Sequence, residues 1–228
     1  MICCCGREMP VASFQLVKTP ILIFSLLMGF AAALFGQASG ESPAQKLVSE
    51  ALVDFEAKKF DDALVKLLEA EKLDPNSAFV LNLIGAAYTK KQDFAMAKTY
   101  FEKSLALDST FFPSLFNIGE LFFLQKQYPQ ALDYFARMLN RDPGNELLQF
   151  KVVLCLLLTD QPEEAEKLIK RMKYPGEGPS WYYSQAAVAF KKGDKGKSRE
   201  TVGMAKILFP GKVSLYDETF TDLGWPIK

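Results

Sequence analysis

The chain contains no histidine. That removes the commonest general base near neutral pH and the commonest metal ligand. Cysteine is nearly missing as well. Of 4 cysteines, three are the consecutive Cys3, Cys4 and Cys5, and only Cys155 lies beyond residue 38. A lone thiol has no intrachain disulfide partner. Its setting, "VVLCLLL", reads as a small core hydrophobe and not as a reactive group. Charge of one sign is not in excess either, since Lys+Arg and Asp+Glu both total 27. A general nucleic-acid footprint needs a basic excess on some face, so that class of partner is not expected. G-x-S-x-G, H-E-x-x-H and paired C-x-x-C are all missing. The run "KKGDKGK" at 191–197 lacks the spacing of a phosphate-binding loop and follows no strand. The carboxylate pairs Asp61–Asp62 and Glu163–Glu164 sit at turns or early in helices, where the helix dipole favours acidic side chains. These absences leave no catalytic, metal or cofactor site and no small-molecule substrate to expect, and the chain is not read as an enzyme.

One long apolar run is present, "PILIFSLLMGFAAALFG" at 20–36. Arg7 and Lys18 precede it, and "GQA" with its small residues Gly36 and Ala38 follows. A positive segment, an apolar segment and a small-x-small site read as a secretory signal peptide over residues 1–38. At this length the run sits at the short limit for a spanning helix, so a retained membrane anchor is the alternative. Cys3, Cys4 and Cys5 lie upstream of the run and leave with the signal. Translation from Met9 gives a more ordinary leader, "MPVASFQLVKTP". The expected location is therefore exported, in a bacterial periplasm or secreted, with membrane contact only if the segment is retained.

The remainder repeats. Ala63, Ala97, Ala131 and Ala165 recur every 34 residues. Phe60, Phe94 and Tyr128 stand three residues before the first three; Leu67, Phe101, Phe135 and Ile169 stand four after all four. Gly85 and Gly119 share the period, each preceded by Ile and followed by an aromatic, Tyr88 or Phe122. A looser fifth unit carries Trp181, Gly193, Ser198, Val202, Ala205 and Pro210, with Ser198 falling 33 after Ala165. Each unit holds two helical periodicities separated by a polar turn such as "KKQD". Small residues at the crossing let the helices approach, and aromatics fill the space beside them. Pro75 and Pro143 close two units. Ser42, Pro43 and Gln45 form a capping-box start.

This pattern resembles the tetratricopeptide repeat, and it covers roughly residues 44–210 as five units: 44–77, 78–111, 112–145, 146–178 and 179–212. The second and third units match closely. In the first Glu50 stands in the Leu column, and in the fourth Val153 stands in the Gly column. The resemblance implies an all-α, right-handed superhelical solenoid. The tail, 213–228, is too apolar for a solvated end, with Val213, Leu215, Tyr216, Phe220, Leu223 and Trp225, so a short capping helix is expected near 213–223.

In such an array the first helix of each unit lines a concave groove. By register the groove-facing residues are Phe79, Asn82, Leu83, Ala86 and Thr89 in unit two. Unit three supplies Phe116, Asn117, Glu120, Phe123 and Leu124. Unit four supplies Leu147, Phe150, Lys151, Leu154, Leu157 and Leu158, and unit five Tyr183, Ser184 and Phe190. The carboxylate clamp that some repeats of this family use for chaperone C-termini finds Asn117 and Lys151 in place. Its other columns fall on Asn82, Ala86 and Leu147, so the clamp is not expected. The resemblance implies a protein or peptide partner on an apolar, Phe-rich strip, with the tail capping unit five and units two to four left open. The favoured expectation is an exported binding scaffold for a peptide or helix of an envelope protein. The alternative is a structural component of a larger envelope assembly.

Overall fold

A computed structural model describes residues 41–174 and 176–225 of the chain. The expectations for the leader, its cysteines and the start codon fall outside the described residues. Among the described residues all regular structure is helical. In chain order the helices are α1 (Pro43–Glu56), α2 (Phe60–Leu73), α3 (Ala78–Lys90), α4 (Phe94–Leu107), α5 (Phe112–Leu124) and α6 (Tyr128–Arg141). They continue as α7 (Glu146–Leu158), α8 (Pro162–Arg171), α9 (Ser180–Lys191), α10 (Lys195–Leu208) and α11 (Ser214–Asp222). Helices α1 to α10 pair in sequence as five antiparallel hairpins, and each hairpin stacks on the next to make an all-α solenoid. Consecutive first helices also touch, α3 with α5 and α7 with α9. With the Lys151–Glu120 pair joining α7 to α5, they form the inner wall.

Local chemistry marks where most of the helices begin. The Ser42 hydroxyl accepts from the Gln45 backbone N–H at 3.2 Å, while the Gln45 side chain accepts from the Ser42 N–H at 2.8 Å. Ser77, Asp93, Asn145 and Asp194 likewise cap α3, α4, α7 and α10 with side-chain oxygens. Pro113, Pro129 and Pro162 occupy the first turns of α5, α6 and α8, where the missing N–H is no loss. Each hairpin turns on one residue with left-handed backbone: Lys58, Gln92, Lys126 and Asp160 at φ of 59–62°, and Gly193 at φ 86°. The turn is conserved in geometry along the array while its residue type is not.

The hairpins close on a size match. At the Gly85 position an added Cβ would stand 2.5 Å from the Phe101 ring, and at Gly119 it would stand 2.7 Å from the Phe135 ring. The same columns in the other units hold Ala51 with Leu67, Val153 with Ile169, and Ala187 with Val202, all buried. Where the first helix carries Ala or Val in place of Gly, the second carries an aliphatic residue in place of Phe. Ala63, Ala97, Ala131, Ala165 and Ser198 fill the other side of the crossing and are fully buried. Among the described residues no helix is long and apolar enough to cross a membrane.

A pair of glycine substitutions tests this packing. Gly85→Ala is expected to destabilise by about 1–3 kcal/mol because the Phe101 ring must move. Gly203, inside α10, has nothing within 4 Å of its added Cβ. Gly203→Ala is therefore expected to stabilise by about 0.5–1 kcal/mol through helix propensity and the unfolded chain. Urea titrations of the two variants and the parent give both signs.

Candidate functional site

The inner wall is built from helices that are apolar nearly all round. In α7 the buried residues are continuous from Phe150 to Leu157, and in α3 from Val80 to Ala87. A helix of that kind must be covered on every side. Neighbouring hairpins cover the wall along the array. On the open side, the cover for α7 and α9 is the chain's own α11.

Helix α11 lays two aromatics, four residues apart, on this wall. The Tyr216 ring lies 4.8 Å from Phe150 and 5.0 Å from Tyr183. Phe220 lies 5.2 Å from Tyr183 and 6.3 Å from Phe150. Just past the helix, Trp225 packs between Phe220 at 5.2 Å and Phe190 at 4.8 Å. Polar contacts fix the register. The Tyr183 hydroxyl donates to Asp217 Oδ1 at 2.5 Å, and the Tyr216 and Ser180 hydroxyls share a hydrogen bond of 2.7 Å. Lys90, at the end of α3, meets Glu218 at 3.2 Å, and Lys206 on α10 meets Asp217 at 3.0 Å. Burial pushes the Tyr216 hydroxyl up to about 12 and raises that of Tyr183, where the Asp217 carboxylate adds to the effect. Both phenols therefore stay neutral at physiological pH, with Tyr183 donating to Asp217.

Among the described residues Lys151 is the one charge sealed into the wall, at 1% exposure. Its ammonium donates to Glu120 Oε2 at 2.8 Å and to the Thr219 hydroxyl at 3.0 Å, and lies 5.0 Å from the Phe123 ring centre. A buried cation needs this many partners to be retained as a charge. Further along the wall, Asn82 Oδ1 accepts from Ser114 at 3.0 Å and from Asn117 at 2.9 Å. Ser114 also bonds Ser104, which donates to the Ala78 carbonyl. This ladder joins units two and three. Asn82 Nδ2, Glu120 Oε1, Ser184 Oγ and Ser198 Oγ are buried with no hydrogen-bond partner among the described residues. Cys155 is buried, and desolvation pushes its thiol up to about 12.

The structure places the sequence-derived groove residues as follows. Leu83, Phe116, Phe123, Phe150, Leu154 and Tyr183 are buried, as are Asn82, Asn117 and Lys151. Phe79, Glu120 and Phe190 are half-buried, and Leu124 is exposed. The apolar strip is thus closed in rather than bare. The expectation that the tail caps unit five alone is also corrected: α11 lies on α7 as well as α9 and reaches α3 through Glu218. The reason is register. Ser214 and Tyr216 stand 34 residues after Ser180 and Tyr182, so α11 begins where the first helix of a sixth unit would, but it lies across the wall instead of extending it. The two residues that match the carboxylate clamp already have partners inside the chain, Asn117 on Asn82 and Lys151 on Glu120.

The last turn of α11 carries a pH signature. Partial desolvation raises the Asp222 carboxyl from its ordinary value although the residue keeps an exposed edge, Glu218 and Glu120 add to the shift, and Lys151 and Lys90 oppose it. The docked helix therefore holds this proton more tightly than the undocked one. Its favourable contribution is complete at low pH and is lost as pH rises through the raised value, so the ionised carboxylate opposes docking at neutral pH. Asp222→Asn is expected to raise Tm at about pH 7. The increment should shrink toward zero as pH falls to about 4, the ordinary carboxylate range. Melting curves across that interval, compared with the parent, provide the check.

Comparison with known proteins agrees with the repeat. Tetratricopeptide repeat models match residues 80–111 and 122–188. The BBSome complex member BBS4 homolog of Drosophila melanogaster is 29% identical over 111 residues, which is 49% of this chain and 23% of that protein. Hsp70-Hsp90 organizing protein 2 of Arabidopsis thaliana is 29% identical over 102 residues, 45% of this chain and 18% of that protein. The chain thus spans about a fifth of the length of these relatives. A crystal structure of a tetratricopeptide repeat protein from Parabacteroides merdae superposes with a TM-score of 0.63 at 15% identity, covering 88% of this chain and 77% of that one. The columns counted in the sequence, the hairpins that they build and the matched repeat models all agree, and the chain carries tetratricopeptide repeats over residues 80–111 and 122–188.

Proposed function

We propose that this chain is a non-catalytic scaffold that holds an amphipathic helix of a partner protein against the inner wall of its solenoid. One observation carries the reading: the wall already holds a helix, α11, through aromatic anchors one turn apart and matched charges. Helix-in-groove recognition uses that arrangement. The relatives are consistent with a role in bringing proteins together, one being named as an organizer of Hsp70 and Hsp90 and the other as a member of a complex. We propose export as well, on the strength of Arg7, Lys18, the apolar run 20–36 and the small-residue site at Gly36–Ala38. The partner is then an envelope or secreted protein, and the mature chain starts near Ser39.

The second reading, a fixed part of an envelope assembly gripped from outside, rests on a different surface. Val65 and Leu73 on α2 and Ile207 and Leu208 on α10 are more than half exposed, at 66%, 54%, 79% and 52%. These are outer helices. A photo-crosslinking amino acid placed in the full-length chain, either at Leu124 on α5 or at Ile207 on α10, separates the two. Expressed in the native source, the inner-wall probe is expected to capture a helical segment of a partner, and the outer probe is not. The recovered chain is expected to begin near Ser39. Capture from Ile207 alone would favour the assembly reading, and recovery of residues 20–36 would favour a retained anchor.

A further inference from the structure

We propose that α11 is a detachable internal ligand. It occupies the place of a partner helix with the same chemistry, two aromatic anchors four residues apart beside carboxylates. It swings out about the turn Pro210–Gly211–Lys212 when that partner binds. This inference rests on the reading of the inner wall as a helix-binding face and adds to it the chemistry of the partner and the means of regulation.

The attachment of α11 is built from side chains. Among the described residues its backbone hydrogen bonds stay local, as in Asp217 N–H to the Val213 carbonyl and Trp225 N–H to the Phe220 carbonyl. The helix has 9 residues, and no side chain caps its start at Val213. Gly211 has φ +83°, a backbone state open to glycine and strained for other residues, at the point where the chain turns inward. Few ordered backbone links and a glycine turn describe a segment that opens locally, without unfolding the array.

The wall beneath α11 keeps contacts of its own when the helix leaves. Lys151 loses the Thr219 hydroxyl on opening but keeps Glu120 at 2.8 Å and the Phe123 face at 5.0 Å. Phe150 and Tyr183 keep their edge contact at 6.1 Å. Opening therefore strands no buried charge, the event that makes breaking a buried ion pair so unfavourable. It bares an aromatic surface, and a second helix of the same kind covers that surface again.

Charge specifies the kind of helix. Residues 214–225 carry Asp217, Glu218 and Asp222 and no basic side chain. The groups facing them are Lys90, Lys151 and Lys206, with Glu120 beside Lys151. A basic helix would meet three lysines, whereas an acidic one with aromatics at i and i+4 reproduces the ring contacts on Phe150 and Tyr183 and the ion pairs with Lys90 and Lys206. The ion pairs at the rim are partly exposed, 28% and 41% for Lys90 and Glu218, so salt screens them and loosens the tail. A tethered segment competes at an effective concentration of about a millimolar. The affinity seen by a free ligand is lowered by the fraction of chains that are closed.

The test uses the full chain and a fluorescein-labelled synthetic peptide of residues 212–225. Two variants weaken α11 in cis and leave the wall untouched: Phe220→Ala, and Glu218→Lys, whose side chain is 41% exposed. The peptide is expected to bind the Glu218→Lys chain at least about fivefold, and the Phe220→Ala chain at least about tenfold, more tightly than the parent. By hydrogen exchange in the unmodified chain, the α11 amides should exchange at least about a hundredfold faster than those of α7. Exchange of α11 in step with α7, or collapse of the array in Phe220→Ala, would make α11 a fixed part of the fold and overturn the proposal. Fast exchange of α11 with no peptide binding to either variant would instead overturn the helix-binding reading of the wall, so the two failures are distinguishable. A dimer that trades α11 between copies would identify a second copy of this chain as the occupant and overturn the separate partner.

Discussion

Five times along this chain a side chain from one helix seats against a small or trimmed position on the helix before it, and the rest of the structure depends on that contact. The Gly85–Phe101 and Gly119–Phe135 pairs are its tightest form, with the ring standing where a Cβ would be. The contact fixes how closely the two helices of a hairpin approach. The hairpins stack in sequence, and their first helices come to lie on one side of the array. A wall of that kind is apolar because its helices pack on every side. Its open side must be covered or occupied, since each exposed large apolar side chain forgoes about 1.5–3 kcal/mol.

That requirement connects packing to function. On the open side, helix α11 covers α7 and α9 with Tyr216, Phe220 and Trp225. Its grip combines a large aromatic area, which holds it close, with a small number of polar anchors, which set its register. The Lys151–Glu120 pair belongs to the wall and not to the tail, so the wall keeps its own electrostatic balance whichever helix lies on it. Because α11 is short and joined through a glycine turn, its docking is separable in principle from the folding of the array. The same surface then serves stability when closed and recognition when open.

Much of this was legible in the sequence, for a physical reason. The Gly and Ala columns recur at 34 residues because backbone approach admits few residue types, so they stand out without any structure. The capping box at Ser42 was equally plain, being a local motif with a local cause. The left-handed turn residues were not legible. Lys58, Gln92, Lys126 and Asp160 have only polarity in common, and their turns are imposed by the helices on either side. The fate of Lys151 was hidden too, because its partner Glu120 lies 31 residues upstream on another helix. The seat of α11 was missed although a signal existed. Ser180 to Ser214 and Tyr182 to Tyr216 keep the 34-residue step, but Thr221 stands where the small column would be, and the tail looked like a terminal cap.

The central claim is that this chain fills its own inner wall. Nuclear Overhauser contacts between aromatic rings in the full-length protein test it most directly. The account predicts cross-peaks linking Tyr216 to both Phe150 and Tyr183, and Trp225 to Phe190, at ring separations of 4.8–5.0 Å. Tyr216 and Phe220 showing contacts to α9 and α10 but none to Phe150 would contradict it, because the tail would then cap the last hairpin and leave the wall of unit four open.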